Sequence, residues 1–414
     1  MPNPLQHLSG DARLLFATRF VRLFAYGSLS VVLVFYLVGV GLSEAQTGTL
    51  LTLTLAGDTV ISLLLTTQAD RVGRRTMLVA GAALMVAAGL VFAATTSFWL
   101  LLLAGTIGVI SPSGNEVGPF LSIEQAALSQ IVSDRERTDV FAWYSLAGSL
   151  ATALGALAGG AAIRVLQQVG LAPVSSYRGV VLLYAALGGA LVVLFSRLSR
   201  SAEATATAAA RPRAKLADWS GLSRSRGVVL KLSALFALDA FGGGFVIQSF
   251  AAYWFYLRYG VKPETLGAIF FFANILAGLS ALLASRLAAR IGLVNTMVLT
   301  HLPSNVLLIL VPLMPNLPLA VLVLLVRFSI SQMDVPTRQS YTMAVVTPDE
   351  RSAAAGITGV ARTTGAAVGP LFVGLMFARP SLMNLPFFLA GALKIAYDVL
   401  LYRAFVTVQP PEEG

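Results

Sequence analysis

Twelve mostly apolar stretches, each near the ~20 residues a helix needs to cross a bilayer, partition this 414-residue chain. They run 14–40, 46–67, 77–96, 98–132, 140–163, 179–195, 228–257, 266–285, 294–313, 317–346, 353–378 and 385–405. Inside a bilayer every backbone N–H and C=O must be satisfied within the protein, so each stretch is expected as an α-helix. Composition agrees: 57% of residues are hydrophobic and 12% charged, against roughly a quarter charged in soluble domains. The sequence predicts an all-α polytopic membrane protein with 12 transmembrane helices. A soluble multi-domain protein is a poor fit.

The charges between the stretches set the expected orientation. With both termini cytoplasmic, the inner side receives Arg71, Arg74, Arg75, Arg135, Arg137, the cluster from Arg197 to Lys231, Arg286, Arg290 and Arg351. The outer side receives Arg164, Arg178, Arg258, Lys262 and Arg379. Cytoplasmic loops are the ones enriched in Lys and Arg. The net charge of +10 thus belongs to inner loops, and no nucleic-acid partner is expected. The chain has no cysteine, which removes disulfides, thiolate metal sites and thiol chemistry. Its two histidines, His7 and His301, are far apart and read as loop or span-end residues. Neither a metal nor a cofactor is expected. No Gly-x-x-x-x-Gly-Lys-Ser/Thr nucleotide loop is present, which argues against an ATP-driven pump. No clustered nucleophile, acid pair or metal set marks a membrane enzyme. The polar start, residues 1–10, followed by a long apolar run predicts a retained span rather than a cleaved signal peptide.

Between the second and third stretches lies Gln68-Ala69-Asp70-Arg71-Val72-Gly73-Arg74-Arg75. It resembles the loop after the second span of major facilitator superfamily transporters, Gly-x-Leu-Ala-Asp-Arg-x-Gly-Arg-Arg/Lys. Thr66 and Gln68 stand where the first Gly and the Leu are usual, while Asp-Arg-x-Gly-Arg-Arg is intact. The chain also repeats internally. Gln125, Glu136-Arg137-Thr138, Gly155 and Gly160 recur as Gln339, Glu350-Arg351-Ser352, Gly369 and Gly374, displaced by 214. Arg71-Val72-Gly73 recurs as Arg290-Ile291-Gly292, and Gly41 and Gly48 as Gly260 and Gly267, displaced by 219. The resemblance implies the major facilitator fold, two pseudo-symmetric six-helix bundles with substrate bound near mid-membrane. The domains expected are 1–198 and 228–414, joined by a cytoplasmic linker at 199–227. The resemblance is closest to the branch that exchanges drugs or other solutes for protons. One departure is that its fifth-span Gly-Pro-x-x-Gly-Gly reads Gly155-Ala156-Leu157-Ala158-Gly159-Gly160 here, with proline at Gly369-Pro370 instead.

A charged residue inside a span is costly and is a functional candidate by default. The acids are Asp58, Glu116, Glu124, Asp239, Asp334 and Asp398; the bases are Arg19, Arg22, Arg327, Arg338, Arg362 and Lys394. Arg19, Lys394 and Asp398 lie near span ends, where long side chains can snorkel to the headgroups. The fourth stretch carries Pro112, Gly114, Gly118 and Pro119, which predict a helix broken in mid-membrane beside protein or a wet cavity. Asn115 and Glu116 lie in that break. In the tenth, Arg327, Asp334 and Arg338 fall on one face of a continuous helix. Arg22 and Tyr26 in the first stretch, and Asp239 and Gln248 in the seventh, complete the expected substrate and proton pathway. A carboxyl in a low-dielectric cavity holds its proton more tightly than in water, and Asp239, then Glu116, are the expected proton carriers. Trp143 and Tyr144 read as packing aromatics. The resemblance further implies a cytoplasmic gate of Asp70, Arg71, Gly73 and Arg74. There Arg74 or Arg71 would pair with Glu124, and Arg338 would stand in the second half. The expected activity is proton-coupled secondary transport of a small organic solute by alternating access, in the direction of efflux. Proton-coupled uptake of a small anionic metabolite is the alternative, and a non-transporting membrane sensor is a third. The expected partners are solute, protons and lipid, with a monomeric protein in the cell's inner or plasma membrane.

Overall fold

Apolar stretches that must satisfy their own backbone form helices. A computed structural model shows sixteen α-helices and no strand among the described residues, 9–132, 137–203, 222, 224–347 and 350–407. Most of the linker (204–221 and 223), His7 and Arg135 lie outside the described residues.

The first half begins with α1 (Gly10–Ser30), α2 (Leu33–Gly39), α3 (Glu44–Val72) and α4 (Arg74–Ala94). There follow α5 (Phe98–Ile107), α6 (Phe120–Ile131), α7 (Arg137–Gln168) and α8 (Pro173–Ser196). The second half holds α9 (Arg226–Gly244), α10 (Gln248–Tyr259), α11 (Pro263–Ile291) and α12 (Leu293–Leu310). It ends with α13 (Leu317–Phe328), α14 (Asp334–Ala344), α15 (Arg351–Phe377) and α16 (Leu385–Phe405).

Among the described residues, nine segments are long and apolar enough to cross a membrane, α9 and α10 counting together as one. The pair α1 and α2, bent by 47°, supplies another. The two expected spans left over, the fourth and the tenth, are each split into two short helices, α5 with α6 and α13 with α14. Together these account for the twelve expected spans. Large apolar side chains remain exposed on the spans, among them Leu64, Trp99 and Leu322, as a lipid-facing surface requires.

The chain divides into two compact units. One comprises Met1–Arg211 with Gln248–Phe271, the other Pro212–Ile247 with Phe272–Gly414. In the first, α1 packs along α7 and α4 along α8. In the second, α9 packs along α15, and α12 along α16. The α1–α7 and α9–α15 contacts are backbone-close at the repeated glycines. A Cβ added at Gly155 would stand 2.1 Å from the Phe24 carbonyl oxygen, and one at Gly369 would stand 2.4 Å from the Gly244 carbonyl carbon. Without a hydrophobic drive between helices in lipid, such close van der Waals approach is what holds spans together.

Candidate functional site

The break in the fourth span is built rather than frayed. Gly114 and Gly118 take positive φ values of 71° and 79°, and the freed backbone groups find side-chain partners. The Gly118 N–H donates to Asp58 Oδ1 at 2.7 Å. The Asn115 carbonyl accepts from Ser111 Oγ at 2.7 Å, and the Gly114 carbonyl from Thr152 Oγ1 at 3.3 Å. Tyr184 donates to the Val109 carbonyl, and Tyr26 to the Val117 carbonyl at 3.4 Å. The Pro112 carbonyl accepts from both the hydroxyl and the N–H of Ser249. Gln248, beside Ser249, donates to Ser30 Oγ at 2.7 Å.

This break delivers Glu116 to the first of two buried charge networks. Arg22, fully buried on α1, grips Glu124 of α6 with two hydrogen bonds of 2.7 Å each. Its Nε donates to Glu116 at 2.8 Å. Arg19, one turn earlier, donates to the other Glu116 oxygen at 3.0 Å. Tyr144 and Thr18 complete the shell of Glu124, and the Arg19 guanidinium lies 4.4 Å from the Tyr144 ring centroid. Two arginines thus balance two glutamates. The two acids differ in access: the Glu116 side chain is 16% exposed and that of Glu124 not at all. Asn115 is exposed, and Tyr26 is fully buried.

The second network belongs to the other unit. Asp239 of α9 accepts from Lys394 of α16 at 2.6 Å and from Arg338 of α14 at 3.0 Å. Arg338 also pairs with Asp334, one turn before it, at 3.1 Å. His301 of α12 bridges two acids, with Nε2 3.6 Å from Asp239 and Nδ1 2.8 Å from Asp398. Asn305 donates to the second Asp398 oxygen at 3.0 Å. Asp239, His301 and Asp334 offer ligand atoms within 4.8 Å of one another, but Lys394 and Arg338 already donate to the two Asp239 oxygens. The cluster is an ion-pair network in which an added cation would meet two resident ones. Arg327 ends α13, above the Phe328 ring, and its buried Nε has no hydrogen-bond partner; the same holds for Arg362 Nε on α15.

The expected residues therefore group differently from their sequence reading. Arg22 joins Glu116, and Asp239 joins Asp334 and Arg338. Arg327 and Asp334 do not share one helix face, because the tenth span breaks at residues 329–333. Glu124 lies with Arg22, not with Arg74 or Arg71. Arg74 instead donates to Asp70 at 2.9 Å and to Gln130 at 3.0 Å. Gly73 makes the turn between α3 and α4 with a φ of 114°, and Arg71 is exposed. Glu203, unanticipated, accepts from the backbone N–H groups of Arg74 and Arg75 at 2.6 and 3.2 Å, capping α4 where its dipole favours an anion. Arg19, Lys394 and Asp398 do not snorkel but turn inward into the networks, and His301 is not a loop residue. The sequence held a signal for three of these. His301 and Asn305, like Lys394 and Asp398, stand four apart, which places each pair on one face of an apolar helix.

Comparisons with known proteins agree on this architecture. An uncharacterized membrane protein of Saccharomyces cerevisiae is 32% identical over 97% of this chain and 95% of its own length. Among solved structures, the nucleoside transporter NupG superposes with a TM-score of 0.74 at 14% identity, covering 96% of this chain and 99% of its own. A bacterial homolog of the human lysosomal transporter Spinster, inward-facing and occupied, gives 0.72 at 16%, covering 96% of each chain. A D-xylose-proton symporter gives 0.72 at 15%, covering 95% of this chain and 97% of its own. These likenesses are ones of fold. The Major Facilitator Superfamily profile matches residues 15–370 and 259–414. With the fourth and tenth spans broken at repeat-related places and a profile match over most of its length, the chain belongs to the Major Facilitator Superfamily.

Proposed function

We propose that this protein is a secondary transporter that exports a small organic solute by alternating access, in exchange for protons. The observation that carries the reading is the pair of buried charge networks, one in each unit, on spans otherwise apolar. Buried ionisable groups are expensive in a membrane and mark solute and ion pathways. Glu116, Asn115 and Arg22 would serve the pathway in the first unit, with Tyr26 and Gln248 beside them. Asp239, Asp334 and Arg327 would serve it in the second. Asp70, Arg71, Gly73, Arg74 and Arg338 would belong to the cytoplasmic gate, and Glu124 would support it from within the first network. The protein would work as a monomer in the inner or plasma membrane, with both termini cytoplasmic and its halves, 1–198 and 228–414, joined by the linker 199–227.

A second reading, proton-coupled uptake of a small anionic metabolite, is favoured by one specific observation. In the second network Arg327, Arg338, Arg362 and Lys394 outnumber Asp239, Asp334 and Asp398, and the Nε groups of Arg327 and Arg362 are unpartnered. Arginine clamps carboxylate or phosphate with paired hydrogen bonds. A metabolite and toxicant screen of cells with and without the gene separates the readings. Sensitivity on deletion is the expected result, while loss of growth on one nutrient would replace export by uptake. The solute so found is then followed in proteoliposomes under an imposed pH gradient, and movement indifferent to the gradient would remove proton coupling.

A further inference from the structure

The second network contains one acid that no permanent cation serves. Arg338 and Lys394 pair with Asp239 and Asp334. Asp398, fully buried, has His301 and the neutral Asn305 as its hydrogen-bond partners. A buried carboxylate without a cation is strongly disfavoured. Among the direct hydrogen-bond partners of Asp398, the charge that can settle it is a proton, held on the His301 imidazole or on Asp398 itself.

We propose that His301 and Asp398 form a proton-binding pair that loads and releases one proton. In the loaded form both imidazole nitrogens carry hydrogen. Nδ1–H donates to Asp398 Oδ1, and Nε2–H faces Asp239 Oδ1. The charges of Asp239, Asp334, Asp398, Arg338, Lys394 and His301 then sum to zero. Release breaks one N–H bond, the proton leaves as such, and the six groups are left with one net negative charge. Asp239 is a poorer carrier, because protonating it would leave Lys394 without its anion and Arg338 with Asp334 alone.

Asn305 Nδ2 lies 3.1 Å from Nδ1 of the imidazole, and the charged neighbours come from the surrounding helices. Asp239 faces it from α9, and Asp334 lies within ligand distance on α14 beside Arg338. Asp398 and Lys394 stand on α16, where the Tyr397 ring meets the imidazole edge-on at 5.8 Å. The one charged residue of α13 is Arg327, and α12 contributes no charge besides His301. On α15, which packs against α9, the charged residue at this network is Arg362, unpartnered at Nε. The imidazole is 5% exposed.

This inference rests on the proton-coupled reading for its place in transport, but its test needs no solute. The chain has two histidines, so the H7Q variant of the full chain in lipid nanodiscs leaves His301 as the single imidazole visible after 15N-histidine labelling. With the proton as the probe, the nitrogen shifts are expected to report one protonation change across the pH range in which the protein stays folded. Adding D398N should move its midpoint by at least about one pH unit, a tenfold change in proton affinity. An imidazole fixed in one state over that range overturns the proposal, as does a midpoint that D398N leaves in place. Should D398N not assemble, N305L, which removes the donor to Asp398 but keeps the acid, supplies the second perturbation, and an unmoved midpoint there also overturns it. The two ideas fail separately. Gradient-driven transport with a silent imidazole removes the pair, whereas a responsive pair without gradient-driven transport supports the pair and removes the coupling reading.

Discussion

Glu116 and Glu124 share Arg22 yet should respond unequally to neutralisation. Glu124 is sealed in, and its two bonds to Arg22 are the best part of that arginine's coordination. Glu124→Gln leaves a buried guanidinium short of its anion, a change that costs about 3–5 kcal/mol for a fully buried pair. Thermal unfolding in detergent should show a large loss of stability. Glu116→Gln should lose less stability, because Glu116 is partly exposed and Arg22 keeps Glu124 while Arg19 alone loses its anion, but it should transport poorly. A Glu124→Gln protein as stable as the parent would mean that Arg22 finds another anion. Sequence reasoning picked out both acids and Arg22, since any charge inside a span stands out. Arg19, Lys394 and Asp398 stand among the same candidates, but their place near span ends reads as snorkelling to the headgroups. Those ends are wrapped by other helices, so the side chains turn toward partners rather than headgroups. The four-residue spacing of His301 with Asn305, and of Lys394 with Asp398, was the available correction.

At the scale of elements, the two broken spans show what a sequence can and cannot announce. The fourth span carries two prolines and two glycines within Pro112–Pro119, and the break falls there. The tenth breaks over Ser-Ile-Ser-Gln-Met, residues 329–333, which contains neither glycine nor proline. Its one punctuating residue, Pro336, lies in the first turn of α14, where a missing N–H costs nothing. Asp334 opens that helix and meets the positive end of its dipole. A continuous helix was the natural reading, and the proline fits a helix start as well as a kink. The packing glycines are more legible, because the 214-residue repeat preserves them. Their role gives a sharp prediction. Gly155→Val and Gly369→Val place carbon on a neighbouring backbone at 2.1 and 2.4 Å, a clash no rotamer relieves. Both variants should lose folded yield by size-exclusion chromatography. Gly189→Ala on α8, with no atom within 4 Å of the added carbon, should behave as wild type or gain the ~1 kcal/mol of helix propensity. Equal yields from all three would show that the helices can separate at no cost.

At the scale of the whole molecule, the question is what the loop between α3 and α4 does beyond fixing orientation. Its three arginines suffice as a topology signal, and Glu203 gives the start of α4 a local anchor. Magnitudes separate anchoring from gating. A carboxylate cap of this kind is worth about 1 kcal/mol, so Glu203→Ala should lower thermal stability measurably and slow transport little. The Asp70–Arg74 pair is a different case. The Asp70 side chain is 51% exposed and the pair lies four residues apart, a contact worth a few tenths of a kcal/mol. Losing it cannot unfold the protein. If the loop nevertheless biases the transport cycle, as the resemblance implies, Asp70→Asn should cut the transport rate several-fold. Expression, melting temperature and solute affinity should stay nearly unchanged, because a shift between transport states changes rate without dismantling either state. Both variants are to be measured side by side for unfolding and for solute flux in proteoliposomes. A rate loss confined to Asp70→Asn assigns the loop a mechanical role that its local energetics cannot supply. Wild-type flux in Asp70→Asn would reduce the loop to a charge that tells the membrane which side is inside.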